Sequence, residues 1–82
     1  DNPLDMEEVE VPKYSWAVLK KLKETHLRSI SNTSIIGITK KDGKFVAMPK
    51  GDVLITSESK LLLIGTQSDI NFTKGLLRRR DK

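Results

Sequence analysis

The chain has no cysteine. That excludes a disulfide framework and any thiolate nucleophile or ligand, and it fits a reducing compartment. Aromatic residues are scarce, with one Tyr, one Trp and two Phe. Four rings cannot build a stacking platform for single-stranded nucleic acid. The basic residues cluster around Lys20–Lys23 and at the end rather than among aromatics. No nucleic acid polymer is therefore expected as a partner. No apolar run approaches the ~20 residues needed to cross a bilayer, and no signal peptide is visible. None of the five glycines falls in a G-x-G-x-x-G or phosphate-loop pattern, which leaves the usual dinucleotide fingerprint absent. The lone histidine, His26, has no Ser or Asp tied to it by a local motif, so no catalytic constellation forms and the chain is not expected to be an enzyme.

What remains is the composition of one folded domain. The 82 residues suffice for one domain and not two. Hydrophobic residues at 37% and charged residues at 32% fit a packed chain rather than a disordered one. A domain this small buries only about 60–65% of its unfolded surface, so a partner surface would help it. The net charge of +4 is mild and reads as a solvated basic surface. The chain opens on Asp1 rather than Met and is expected to be a piece of a longer protein. Residues 1–5 and 79–82 read as loose tails around a domain over 6–78.

"MEEVEVP", Met6 to Pro12, alternates Val9 and Val11 with Glu8 and Glu10, the period of a strand with one wet face. Glu7, Glu8 and Glu10 read as a solvated cluster, with a loose cation site as the sharper alternative. "SWAVLKKLKETH", Ser15 to His26, places Leu19, Leu22 and His26 at helical spacing. Ser15 is the expected N-cap, and the end falls between Leu27 and Ser31. His26 then packs on or beside the apolar stripe, or senses a ligand or pH. Tyr14 and Trp16 staple this helix to the sheet or anchor an interface.

"SIIGIT", "KFVAM", "DVLIT" and "KLLLIG" read as four short strands. Asp42-Gly43 turns the first hairpin, and Pro49 to Gly51 makes the next turn. A last helix is expected from about Asp69 to Arg78, capped by Gln67 or Ser68. Arg78 to Arg80 reads as a solvated terminus, with acidic lipid or an acidic partner as the alternative.

Strict alternation places Ile36 with Ile38, Phe45 with Ala47, and Leu62 with Ile64, each opposed by further apolar residues. These strands are apolar on both faces, and each exposed Leu or Ile would forfeit roughly 1.5–3 kcal/mol. Either the two helices cover opposite faces, or one face takes a second copy across a two-fold. The second is preferred, with Ile36, Ile38, Leu62, Ile64 and Trp16 at the dimer interface. The fold class is α+β: a small mixed or antiparallel β-sheet with two helices, dimerising through strands and helix.

From Ser34 to Ile70 the order of parts resembles the RCK C-terminal (TrkA-C) family of potassium-conductance regulators. The parts are the strand "IIGI", an Asp-Gly hairpin, a return strand ending at Pro49, a short "DVLI", a polar turn and a terminal "LLLIGT" before a helix. "MEEVEVP" looks like that family's first strand, and the likeness spans about Glu7 to Leu77. Two departures stand out. The family often has Gly-Asp where this chain has Glu58-Ser59, and a glycine early in the first helix where "SWAVLKKLKETH" has none.

The resemblance implies a regulatory, ligand-sensing and dimerisation module on the cytoplasmic side of the cell membrane. It would follow a Rossmann-like lobe and control an attached potassium channel or transporter; the rival is a structural assembly domain that binds nothing small. A cyclic dinucleotide or a divalent cation is the implied ligand, held near Ile35, Ile36 and Pro49 with His26 beside them.

Overall fold

The computed structural model describes residues 3–80; Asp1, Asn2, Asp81 and Lys82, parts of the expected tails, lie outside the described residues. Four strands and three helices follow in the order β1 (Asp5–Glu10), α1 (Leu22–Thr25), α2 (Leu27–Ser31), β2 (Ser34–Thr39), β3 (Phe45–Ala47), β4 (Lys60–Gly65) and α3 (Gln67–Leu77). One antiparallel sheet has the strand order β1-β4-β2-β3. The aliphatic β4 is thus interior, as its run of four apolar residues requires.

The inner face of the sheet is the core. Val9, Ile38, Leu61 and Leu63 are buried there, and α3 lies against β1 and β4, sealing them with Ile70, Leu76 and Leu77. Thr66 caps α3: its hydroxyl accepts the Asp69 N–H at 3.1 Å. The expected caps, Gln67 and Ser68, are instead inside the helix, because Thr66 is the residue that keeps extended backbone.

The expected first helix is the largest difference. Ser15 to Lys21 is not helical; Ser15 bridges Arg80 and Lys21 bridges Leu54. Leu19 takes φ +66° and His26 φ +53°, breaking the run into a short ribbon and two short helices. The ribbon pairs with residues 51–55: Leu19 donates to the Ile55 carbonyl at 2.7 Å and Leu22 to Val53 at 3.0 Å. The expected strand "DVLIT" is this ribbon's partner rather than a sheet strand. Leu19 is consequently exposed, not packed on an apolar stripe.

Strict alternation also fails in β2. A register shift lies between Ile35 and Gly37, so Ile35 pairs Leu63, Gly37 pairs Leu62 and Ile38 pairs Leu61. This bulge puts Ile35 and Ile38 on the inner side together and leaves Ile36 as the extra residue. Ile38 is completely buried against the chain's own core, which removes it from any interface with a second copy. Trp16 is likewise engaged within the chain. Its indole N–H donates to the Leu76 carbonyl at 2.7 Å, and its backbone N–H donates to Arg79 at 2.9 Å.

The C-terminal segment is pinned where a loose basic tail was expected from Arg79. The Arg80 guanidinium lies 4.3 Å from the Tyr14 ring centre, a cation–π contact.

The other face of the sheet is open. Met6, Leu62, Ile64, Phe45 and Ala47 project from it, and Met6 and Phe45 remain 61% and 50% exposed. All described helices lie on the inner side, so a three-layer monomer is ruled out for the described residues. No helix is long and apolar enough to cross a membrane among the described residues.

Candidate functional site: a basic, aliphatic groove

A groove of about 810 Å³ opens beside α1, α2 and the ends of β2 and β3. All four residues expected at a ligand site, His26, Ile35, Ile36 and Pro49, line it. The bulge explains two of them: without it, Ile35 and Ile36 would project to opposite faces. Buried Leu27 and Thr33 form the base.

The groove is walled by strained backbone. His26, Asn32 and Met48 all line it with positive φ, a region non-glycine residues seldom occupy. His26 is exposed between α1 and α2, not half-buried on a stripe. Its carbonyl accepts the Ile30 N–H at 2.9 Å, so the kink itself starts α2. The Asn32 kink ends α2, its N–H donating to the Arg28 carbonyl at 3.0 Å. Met48 donates to the Ile36 carbonyl at 2.9 Å, which ties the β3 end to the bulge.

The electrostatics are one-sided. Lys23, His26 and Arg28 line the groove together with Ile35, Ile36, Met48 and Pro49, and among the described residues no carboxylate does. Such a surface favours an anion carrying a flat apolar part. Lys23, Arg28, Asn32 and Met48 were not singled out from the sequence. Only their placement at helix ends, close to the aliphatic strand, could have marked them.

The acidic strand does not form a cation site. Glu7 points to the inner side and pairs with Lys74, while alternation sends Glu8 and Glu10 to the other face. The Lys74 ammonium, then the Gln67 amide, hold the Glu7 carboxyl below its usual range. Among the described residues no group of three His, Cys, Asp or Glu could hold a metal ion.

The departure at Glu58-Ser59 falls on backbone that favours glycine: Glu58 has φ of +61°, and Leu19, within the stretch that lacks a glycine, has φ of +66°. Glu58 is held in part by Lys41 at 3.3 Å and Lys13 at 3.5 Å. The Lys41 hydrogen bond is the main cause that lowers its pKa.

The chain matches the family model described as the TrkA-C domain over residues 6–77, and it belongs to that family. Solved structures share its fold. The RCK_C domain dimer of S. agalactiae BusR, in complex with c-di-AMP, is 21% identical, with 92% of this chain and 91% of that one covered and a TM-score of 0.83. The RCK C domain of the potassium transport protein KtrA, also with c-di-AMP, is 19% identical over 88% of this chain and 81% of that one, with a TM-score of 0.74. S. agalactiae BusR in complex with its busAB-promotor DNA is 19% identical over 88% of this chain, with a TM-score of 0.82. This chain spans 35% of that one. No curated protein matches the chain.

The BusR complex corrects one expectation. A nucleic acid partner was excluded from the aromatic count and charge placement, yet a protein containing this fold stands on promoter DNA. The composition of one domain bears only on that domain's own surface, so it cannot exclude partners of a longer chain.

Proposed function

We propose that the chain is a non-enzymatic, ligand-sensing and dimerisation module that controls potassium flux from the cytoplasmic side of a membrane channel or transporter. The observation that carries this reading is the groove itself: Lys23, Arg28 and His26 beside an apolar wall that includes Ile35, Ile36 and Pro49, with no carboxylate lining it among the described residues. A cyclic dinucleotide supplies the matching chemistry, phosphates for Lys23 and Arg28 and flat bases for Ile35, Ile36 and Pro49. A divalent cation does not match, because the groove's own charges repel it. Complexes of BusR and KtrA domains with c-di-AMP support the choice.

The open sheet face supplies the second half of the reading. A two-fold related copy would withdraw Leu62, Ile64 and Phe45 from water. Strand β2 carries groove wall and open face alike, so ligand and second copy act on one element. Ligand regulates by binding one dimer arrangement more tightly than another; equal affinity would shift nothing. The promoter-bound BusR structure favours a second reading of the output, in which the same module reports to a DNA-binding part of a longer chain.

Calorimetric titration with cyclic dinucleotides, alongside sedimentation with and without ligand, tests this. Heat from c-di-AMP that Arg28→Gln weakens, together with a dimer that Leu62→Asp dissociates, is the expected result. A tight dimer giving no heat with any cyclic dinucleotide would replace sensing with structural assembly.

A further inference from the structure

The ribbon outside the sheet carries a feature the groove does not use. Leu19 is 71% exposed while held at positive φ, and Leu54 on the opposing segment is 45% exposed. Leu19 and Ile55 are hydrogen-bonded through their backbones, and Lys21 pairs Leu54, so the two leucines stand on adjacent segments of one projecting element. A leucine forced into left-handed backbone and then left in water is strain without packing in return. Strain of this kind collects at functional contacts.

The charges around it are predominantly positive. Lys20, Lys21 and Lys50, none of which lines the groove, flank the leucines, and none makes an ion pair among the described residues. Of the two carboxylates in the same segments, Glu24 is committed to the Lys21 backbone N–H at 2.7 Å. Asp52 sits exposed in the turn.

We infer that this ribbon is a docking surface for an anionic bilayer: Leu19 and Leu54 enter the headgroup boundary while the lysines meet lipid phosphates. Exposed apolar tips rimmed by uncommitted lysines are complementary to such a surface, since apolar insertion and attraction to anionic headgroups act together. A nucleic acid would satisfy the lysines but leave the leucines in water. The surface is independent of whatever occupies the groove.

The test is co-sedimentation of the 82-residue chain with vesicles of pure phosphatidylcholine and vesicles about one-third phosphatidylglycerol, with a DNA duplex as a third arm. Binding is expected to the anionic vesicles and to weaken with salt. Leu19→Asn keeps a residue that tolerates this backbone, so the fold should melt no lower, yet binding should fall on the order of tenfold. Leu54→Ser is the second variant and should act in the same direction. Lys20→Gln and Lys21→Gln should each cost roughly fivefold. No binding to anionic vesicles would overturn the inference. So would binding that ignores both leucine variants, or a preference for DNA over vesicles at equal salt.

Discussion

The Phe45 ring occupies the space that a side chain on Gly37 would need: a Cβ built on Gly37 would stand 2.4 Å from the ring's Cζ. Gly37 sits just past the β2 bulge, opposite Leu62 in β4. The glycine in "IIGI" is therefore a seat for an aromatic ring rather than a turn. Gly37→Ala should lift the ring and cost about 1 kcal/mol. That cost should shrink when Phe45 is already Leu, a coupling measurable by a double-mutant cycle in urea. Additive losses would mean the ring moves aside freely.

Leu19 offers the opposite case. Its left-handed backbone costs an L-residue about 1–2 kcal/mol, and its side chain packs little. Leu19→Gly should raise stability by about 0.5–1 kcal/mol after the glycine's extra unfolded-state entropy. Glu58→Gly should come out near neutral, because it also gives up the contacts to Lys13 and Lys41, each worth about 0–1 kcal/mol at a surface. Thermal melts of the two variants would separate these cases.

Ile36 and Ile38 should behave differently despite their shared spacing. Ile38→Asp places an unpaired charge in a fully buried site and should unfold the domain. Ile36→Asp should leave the circular dichroism spectrum and melting cooperativity intact and weaken groove binding. An Ile38→Asp protein that stays folded would contradict the bulge register.

The Glu7–Lys74 contact gives a sign for pH dependence. The folded-state pKa of Glu7 lies below its ordinary 4.5, so the contact stabilises fully above that value. The contribution is lost as pH falls below about 4.5 and through the folded-state pKa. Denaturant midpoints measured from pH 6 down to pH 3 should decline less steeply in Lys74→Met and in Glu7→Gln than in the parent chain. Equal slopes would mean the contact carries no linkage.

Much of the architecture was legible from local pattern. β4, the Asp42-Gly43 hairpin and α3 each follow from residues within one short window, where periodicity and turn chemistry agree, although the α3 cap falls on Thr66 rather than on Gln67 or Ser68. The same reasoning went wrong at "SWAVLKKLKETH", whose helical spacing is real. There the backbone of 19–23 found partners in 51–55, and no window around Leu19 contains that information.

The groove was half legible. Ile35, Ile36, Pro49 and His26 came from the family resemblance and its aliphatic strand, whereas Lys23, Arg28, Asn32 and Met48 arrive only when the chain kinks at His26, Asn32 and Met48. Asn32 and His26 are residue types that visit left-handed backbone more often than most, but Met48 has no such preference, so there the folded surroundings must impose the kink.

By itself, the sequence determined the fold class, the interior strand and the absence of a thiol or a nucleotide fingerprint, because these depend on residue type and short-range spacing. The tertiary structure alone decided which aliphatic residues are core and which are open, since one inserted residue in β2 reverses the side on which its neighbours lie. It also decided the sign of the groove, because charge becomes a property of a site only when distant segments are brought together.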